Sequence, residues 1–138
     1  MNVHLKQLDG LAIMGYGDSK HLVAMDSPEE LGGLAAGSRP MELILMGIAG
    51  CSAMDIIAIL RKKRVPFTDF QTEAKSERAD EHPQKFTKIA LHYIIKGKGV
   101  QAKDVQRSID LTDERYCGAI EMIRHSVEVT HTFDIIEE

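Results

Sequence analysis

The side chains of this chain that could do chemistry are two cysteines, six histidines and scattered acids. Cys51 and Cys117 stand 66 positions apart, so no CxxC zinc or dithiol motif exists. The histidines at 4, 21, 82, 92, 125 and 131 show no ligand spacing either, and neither a metal nor a bound cofactor is expected. A thiol becomes a nucleophile only as the thiolate, which needs a cation, a metal or a helix N-terminus beside it. Cys117 falls near a helix start and has the better backbone field. Cys51 lies too far along its own helix to gain from the dipole, which fades within the first turn, so any activation comes from a side chain supplied elsewhere. Asp55 follows Cys51 by one turn on the same face, where its charge opposes a thiolate. The alternative is that both cysteines are small core hydrophobes. His131, on the inward face of a closing strand, reads as a hydrogen-bonded core histidine. The chain has no P-loop, no GxGxxG and no GxSxG.

Cys51 is positioned by the longest element. From Leu43 to Leu60 apolar residues occupy nearly every helical face, which makes this either a core helix or a membrane span. Asp55 interrupts the run, and Gly47, Gly50 and Ser52 thin it, whereas a span wants ~20 predominantly apolar residues. The core reading is therefore preferred. Ser38 is expected to cap this helix and Pro40 to occupy its first turn, where a missing N–H costs nothing. The cations at 61–64 suit its C-terminal end.

Around it the periodicity changes. Residues 3–7 and 11–16 read as strands joined at Asp9-Gly10, the strongest short hairpin signal, and 21–25 as a third. A loop with one turn of helix follows over 26–31. Residues 67–77 and 86–95 form a long hairpin. In its second strand Thr87, Ile89, Leu91, Tyr93 and Ile95 face one way, and Phe86, Lys88, Ala90 and His92 the other. An amphipathic helix covers 101–111. A second starts at Thr112 with Cys117 in its first turn, and 127–135 alternates as a closing strand. This order predicts an α+β fold with an antiparallel sheet.

At 138 residues the chain is one domain, 1–138, and a net charge of −4 disfavours nucleic acid and anionic membrane as partners. The N-terminus carries no apolar signal segment, so a cytoplasmic location is expected, where cysteines are free or redox-active rather than structural. A helix this apolar needs cover from every side, part of it from a second subunit.

Pro40-Met41-Glu42-Leu43, Ala49-Gly50-Cys51-Ser52-Ala53-Met54-Asp55 and Tyr116-Cys117 together resemble the OsmC/Ohr superfamily of osmotically inducible and organic-hydroperoxide-resistance proteins. The likeness is greatest to the small OsmC-like branch, and the element order agrees over nearly the whole chain. The resemblance implies an OsmC-like fold, with sheets wrapped around long central buried helices in an intertwined homodimer. It implies a thiol-dependent peroxidase in oxidative-stress defence. Cys51 attacks an organic hydroperoxide and becomes a sulfenic acid, Cys117 condenses with it to a disulfide, and a lipoyl-type dithiol or small thiol restores the pair. No cofactor is needed, and an apolar pocket lined by Met46, Met54 and Phe86 would suit bulky hydroperoxides. Family peroxidases also hold the thiolate with an N-terminal arginine and a glutamate before the cysteine helix. Here Glu42 is the candidate acid, although Met41 stands where the hydroperoxide-resistance branch has its own. No arginine precedes Arg39, which is either the substitute or a solvated loop residue. The alternative function is a non-peroxidase OsmC-fold dimer that binds a small apolar or thiol-reactive ligand.

Overall fold

The computed structural model describes residues 1–138 and divides them into two compact units, Met1–Ile44 and Leu45–Glu138. The first unit is an antiparallel sheet of β1 (Val3–Asp9), β2 (Ala12–Gly17) and β3 (Val23–Met25), in that order. Gly10 turns the β1–β2 hairpin with φ +56°, a left-handed conformation that glycine adopts without steric cost. A 3-10 turn at Glu29–Leu31 follows β3. The backbone of Ser38 is then tied back to β3, donating to the Ala24 carbonyl at 3.2 Å and accepting from Asp26 N–H at 3.1 Å. Ser38 is thus a strand partner rather than the expected helix cap. The carbonyl that opens the helix belongs to Arg39, which accepts from Leu43 N–H.

Helix α1 (Pro40–Lys62) begins in the first unit and runs on into the second. Ile48, Ser52, Ile56 and Leu60 form its only buried stripe, one residue per turn. By length and composition this helix could cross a membrane. Its most apolar 18-residue window has a mean hydropathy of 2.2, yet only 22% of that window is buried within the chain. The central helix is therefore far less covered by its own chain than a core helix requires.

The second sheet has the order β4 (Phe67–Arg78), β5 (Phe86–Gly97), β6 (Glu128–Glu137). β4 and β5 make the expected hairpin, with Ile89, Leu91, Tyr93 and Ile95 of β5 all nearly inaccessible. Phe86 is buried as well, against its predicted face. A register irregularity between Glu77 and Arg78 shifts the phase at that end of the pair. β6 departs from the antiparallel expectation, because it pairs parallel to β5 from Lys88↔Glu128 to Gly97↔Glu137. Parallel neighbours need a long crossover, and the helical segment between these strands supplies it.

That crossover holds α2 (Ala102–Leu111), a π-helical turn at Thr112–Tyr116 and α3 (Gly118–Ile123). The helix expected from Thr112 is thereby split. The π turn closes with Cys117 N–H donating to the Thr112 carbonyl at 2.9 Å. Cys117 itself leaves the helical region, with φ −77° and ψ 100°, and caps α3.

Candidate functional site

The register of α1 determines what reaches the site. Cys51 and Asp55, four apart, share a stripe beside the buried Ser52–Ile56 stripe, and both are half-buried. Cys117 approaches from the crossover. Its extended backbone aims Sγ at the start of α3, where it accepts from Ile120 N–H at 3.5 Å, and the residue is 3% exposed. The two sulfurs and one carboxylate oxygen of Asp55 all lie within 4.8 Å of one another. Both cysteines are free thiols. Burial pushes the Cys117 thiol up to about 11; the neighbouring Cys51 adds to that shift and the amides of Ile120 and Ala119 oppose it. Cys117 therefore rests as a protonated thiol. Asp55 Oδ2 is buried with no hydrogen-bond partner, in a protein interior where such groups are almost always paired.

A polar chain lies behind this cluster. Tyr93, fully buried on β5, shares hydrogen bonds with Ser52 Oγ at 2.6 Å and His131 Nδ1 at 3.0 Å. The Tyr93 and His131 rings stack at 5.9 Å, and His131 Nε2 lies 3.2 Å from Asp113 Oδ1. Arg124 donates to the Asp113 carbonyl and sits 3.7 Å from its carboxylate, while its Nε meets Glu121 at 2.9 Å. Burial, with the charges of Cys117 and Asp113 adding and the Ser52 hydrogen bond opposing, holds the Tyr93 phenol up at about 12, so it keeps its proton. His131 has the hydrogen-bonded role expected for it. Tyr93, Asp113 and Arg124 were not expected at the site. Tyr93 has a weak signal in the sequence, as the one phenol on the inward face of an otherwise aliphatic strand.

Arg39 and Glu42 form an ion pair with each other at 2.9 Å, both about half exposed, in the first unit. The structure thus joins Cys51 to Cys117 and Arg39 to Glu42. Met46 and Met54 are 52% and 71% exposed, and neither lines the hollow that opens beside Asp55. That hollow, of about 620 Å³, is open to solvent and mostly apolar, with Ala58, Ile59, Leu111 and Tyr116 in its wall and Lys62 and Lys63 at its edge.

The chain is similar to known proteins over nearly its whole length. The family model described as OsmC-like protein matches residues 32–132. Protein YhfA of Escherichia coli (strain K12) is 37% identical over 136 residues, covering 99% of this chain and 98% of its own. A hypothetical protein from Aquifex aeolicus, known by crystal structure, has a TM-score of 0.86 at 25% identity, over 99% and 96% of the two chains. An organic hydroperoxide resistance protein OsmC from Legionella pneumophila shares the fold, with a TM-score of 0.72 at 20% identity over 97% of each chain. The chain belongs to the OsmC-like protein family.

Proposed function

We propose that this protein is a thiol-dependent peroxidase that reduces organic hydroperoxides as a cytoplasmic homodimer, with the whole of 1–138 as one OsmC-like domain. One observation carries the reading: two free thiols, 66 positions apart in sequence, lie within 4.8 Å of each other, one within α1 and the other at the capping position of α3. The Cys51 thiolate attacks the distal oxygen of the hydroperoxide, the O–O bond breaks, and the alkoxide leaves as alcohol after taking a proton. Cys51 is then a sulfenic acid. The protonated Cys117 thiol condenses with it, forming the S–S bond and releasing water. A lipoyl-type dithiol or two small thiols reduce the disulfide and are oxidised in turn. The raised thiol of Cys117 makes it the poorer first attacker, which leaves Cys51 as the proposed attacking thiol. Arg39 and Glu42, already paired, are the proposed orienting groups. The exposed apolar surface of α1, with Met54 71% exposed, supports the dimer.

Adding stoichiometric cumene hydroperoxide to reduced protein tests this by thiol count and intact mass. Both thiols are expected to disappear rapidly, with loss of two hydrogens per chain. Cys51→Ser should lose turnover, whereas Cys117→Ser should still form one sulfenic acid. Full turnover in Cys51→Ser would sink the proposal. The open apolar hollow beside Asp55 favours a second reading, binding of a small apolar or thiol-reactive ligand without peroxide turnover. Unchanged thiols over hours, with ligand retained in a double cysteine variant, would select it.

A further inference from the structure

We propose that the reduced protein binds one thiophilic divalent cation per chain, zinc foremost, through Cys51 Sγ, Cys117 Sγ and the Asp55 carboxylate. The proposal goes beyond the peroxidase reading and requires only that both thiols be reduced. Its basis is a set of three donors, two sulfurs and an oxygen, all within 4.8 Å of one another. Zinc holds sulfur at ~2.3 Å and carboxylate oxygen at ~2.0–2.2 Å, so tetrahedral ligands stand about 3.5–3.8 Å apart. Closing from 4.8 Å to that spacing is a side-chain adjustment of about 1 Å. The donors come from two elements, the i,i+4 stripe of α1 and the residue that caps α3, which explains why linear spacing carries no metal signature.

Asp55 supplies the independent observation. Its Oδ2 is buried without any donor, although an unpaired acceptor in the interior is costly. A cation satisfies that lone pair, and no protein group there does so. Once bound, the two thiolates and the carboxylate neutralise the charge of the dication. Soft sulfur donors with a single oxygen select zinc over calcium or magnesium, whose sites are built from oxygen. Binding displaces the two thiol protons into solvent, and nothing is oxidised or reduced. Asp55 lines a hollow open to solvent, and a water or a ligand thiol would complete the tetrahedron.

The test uses the full-length reduced protein, stripped with chelator and handled without oxygen, with zinc itself as the probe. Competition against a chromophoric chelator should give one zinc per chain. Cobalt in its place should show thiolate charge-transfer absorption and tetrahedral visible bands. Changing a residue that merely supports a ligand costs about 10–100-fold in affinity, so Cys51→Ser, Cys117→Ser and the isosteric Asp55→Asn should each lose at least tenfold. Hydroperoxide or disulfide formation should release the metal. No zinc binding by protein whose two thiols titrate normally would overturn the proposal. So would unchanged affinity in the double cysteine variant, which would place the ion on surface histidines. Should a variant fold poorly, protection of the wild-type thiols from alkylation by one equivalent of zinc decides the matter, and absent protection counts against the site. The peroxidase reading is judged separately, on thiol loss in metal-free protein.

Discussion

The two units of the chain hold together by opposite means. In Leu45–Glu138, Ile56, Leu60, Leu91, Tyr93, Ile95 and Val105 are wholly inaccessible, and α1, α2 and β5 each contribute an apolar face. In Met1–Ile44 the only buried apolar residue is Ala12, and the best buried side chain is a carboxylate, Asp26, at 2% exposure. Every residue of β1 is exposed, while Val3, Leu5, Leu22, Leu31 and Leu34 present large apolar side chains to solvent. One unit is thus shaped by burial of hydrocarbon, the other by backbone ladders and one polar tie. The difference shows where cover is missing. In the proposed dimer a second copy would cover such residues.

The tightly packed second unit is the more sensitive to truncation. Truncation of Ile56 to alanine removes a fully buried side chain from α1 and leaves a cavity, at an expected cost of about 2–5 kcal/mol in denaturant unfolding. An effect under about 1 kcal/mol would mean that this core is no better packed than the first unit. Tyr93→Phe is gentler. It preserves the ring and its stack on His131, but leaves Ser52 Oγ and His131 Nδ1 without their partner, and unpaired buried groups cost about 1–3 kcal/mol. The check is whether Ser52→Ala added to Tyr93→Phe recovers part of that loss in a double-mutant cycle.

Legibility followed the same divide. The hairpin at Asp9-Gly10, the extent of α1 and the inward set of β5 could all be read from local periodicity, because each is decided by residues close in sequence. The parallel pairing of β6 could not, since strand direction depends on how the crossover packs, although two helices between strands were the available hint. Ser38 looked like a cap by residue type and lost that role to a strand contact with Ala24. At the site, the pairing of Cys51 with Cys117 came from family resemblance, and spacing alone could not supply it. The cluster with Asp55 is tertiary, joining a helix stripe to the capping position of another helix, and the Asp113–His131–Tyr93–Ser52 chain joins four elements. Residues whose meaning depends on a distant neighbour carried little signal of their own.

The polar tie of the first unit is worth less than the core of the second. Asp26 accepts from the backbone amides of Ser27 at 2.7 Å, Leu34 at 3.1 Å and Ala36 at 3.2 Å, tying the loop before α1 to the end of β3. Burial pushes its carboxyl up, but the three amides outweigh it and bring it below its ordinary value of 3.8. A carboxylate lowered in the folded state contributes stability that is fully present above the unfolded value, near ~3.9, and is lost as pH falls through the folded value. Asn keeps one acceptor oxygen and loses the other, so Asp26→Asn should lower the urea midpoint at pH 7. The gap to wild type should narrow below about pH 4, where the wild-type carboxyl takes up its proton and loses the same advantage. Tyr93→Phe, whose loss involves a phenol held protonated, should keep a constant gap across that acid range. A pH-independent gap for Asp26→Asn would mean that the loop is held by its backbone hydrogen bonds alone, and that the first unit lacks the polar tie that distinguishes it from the second.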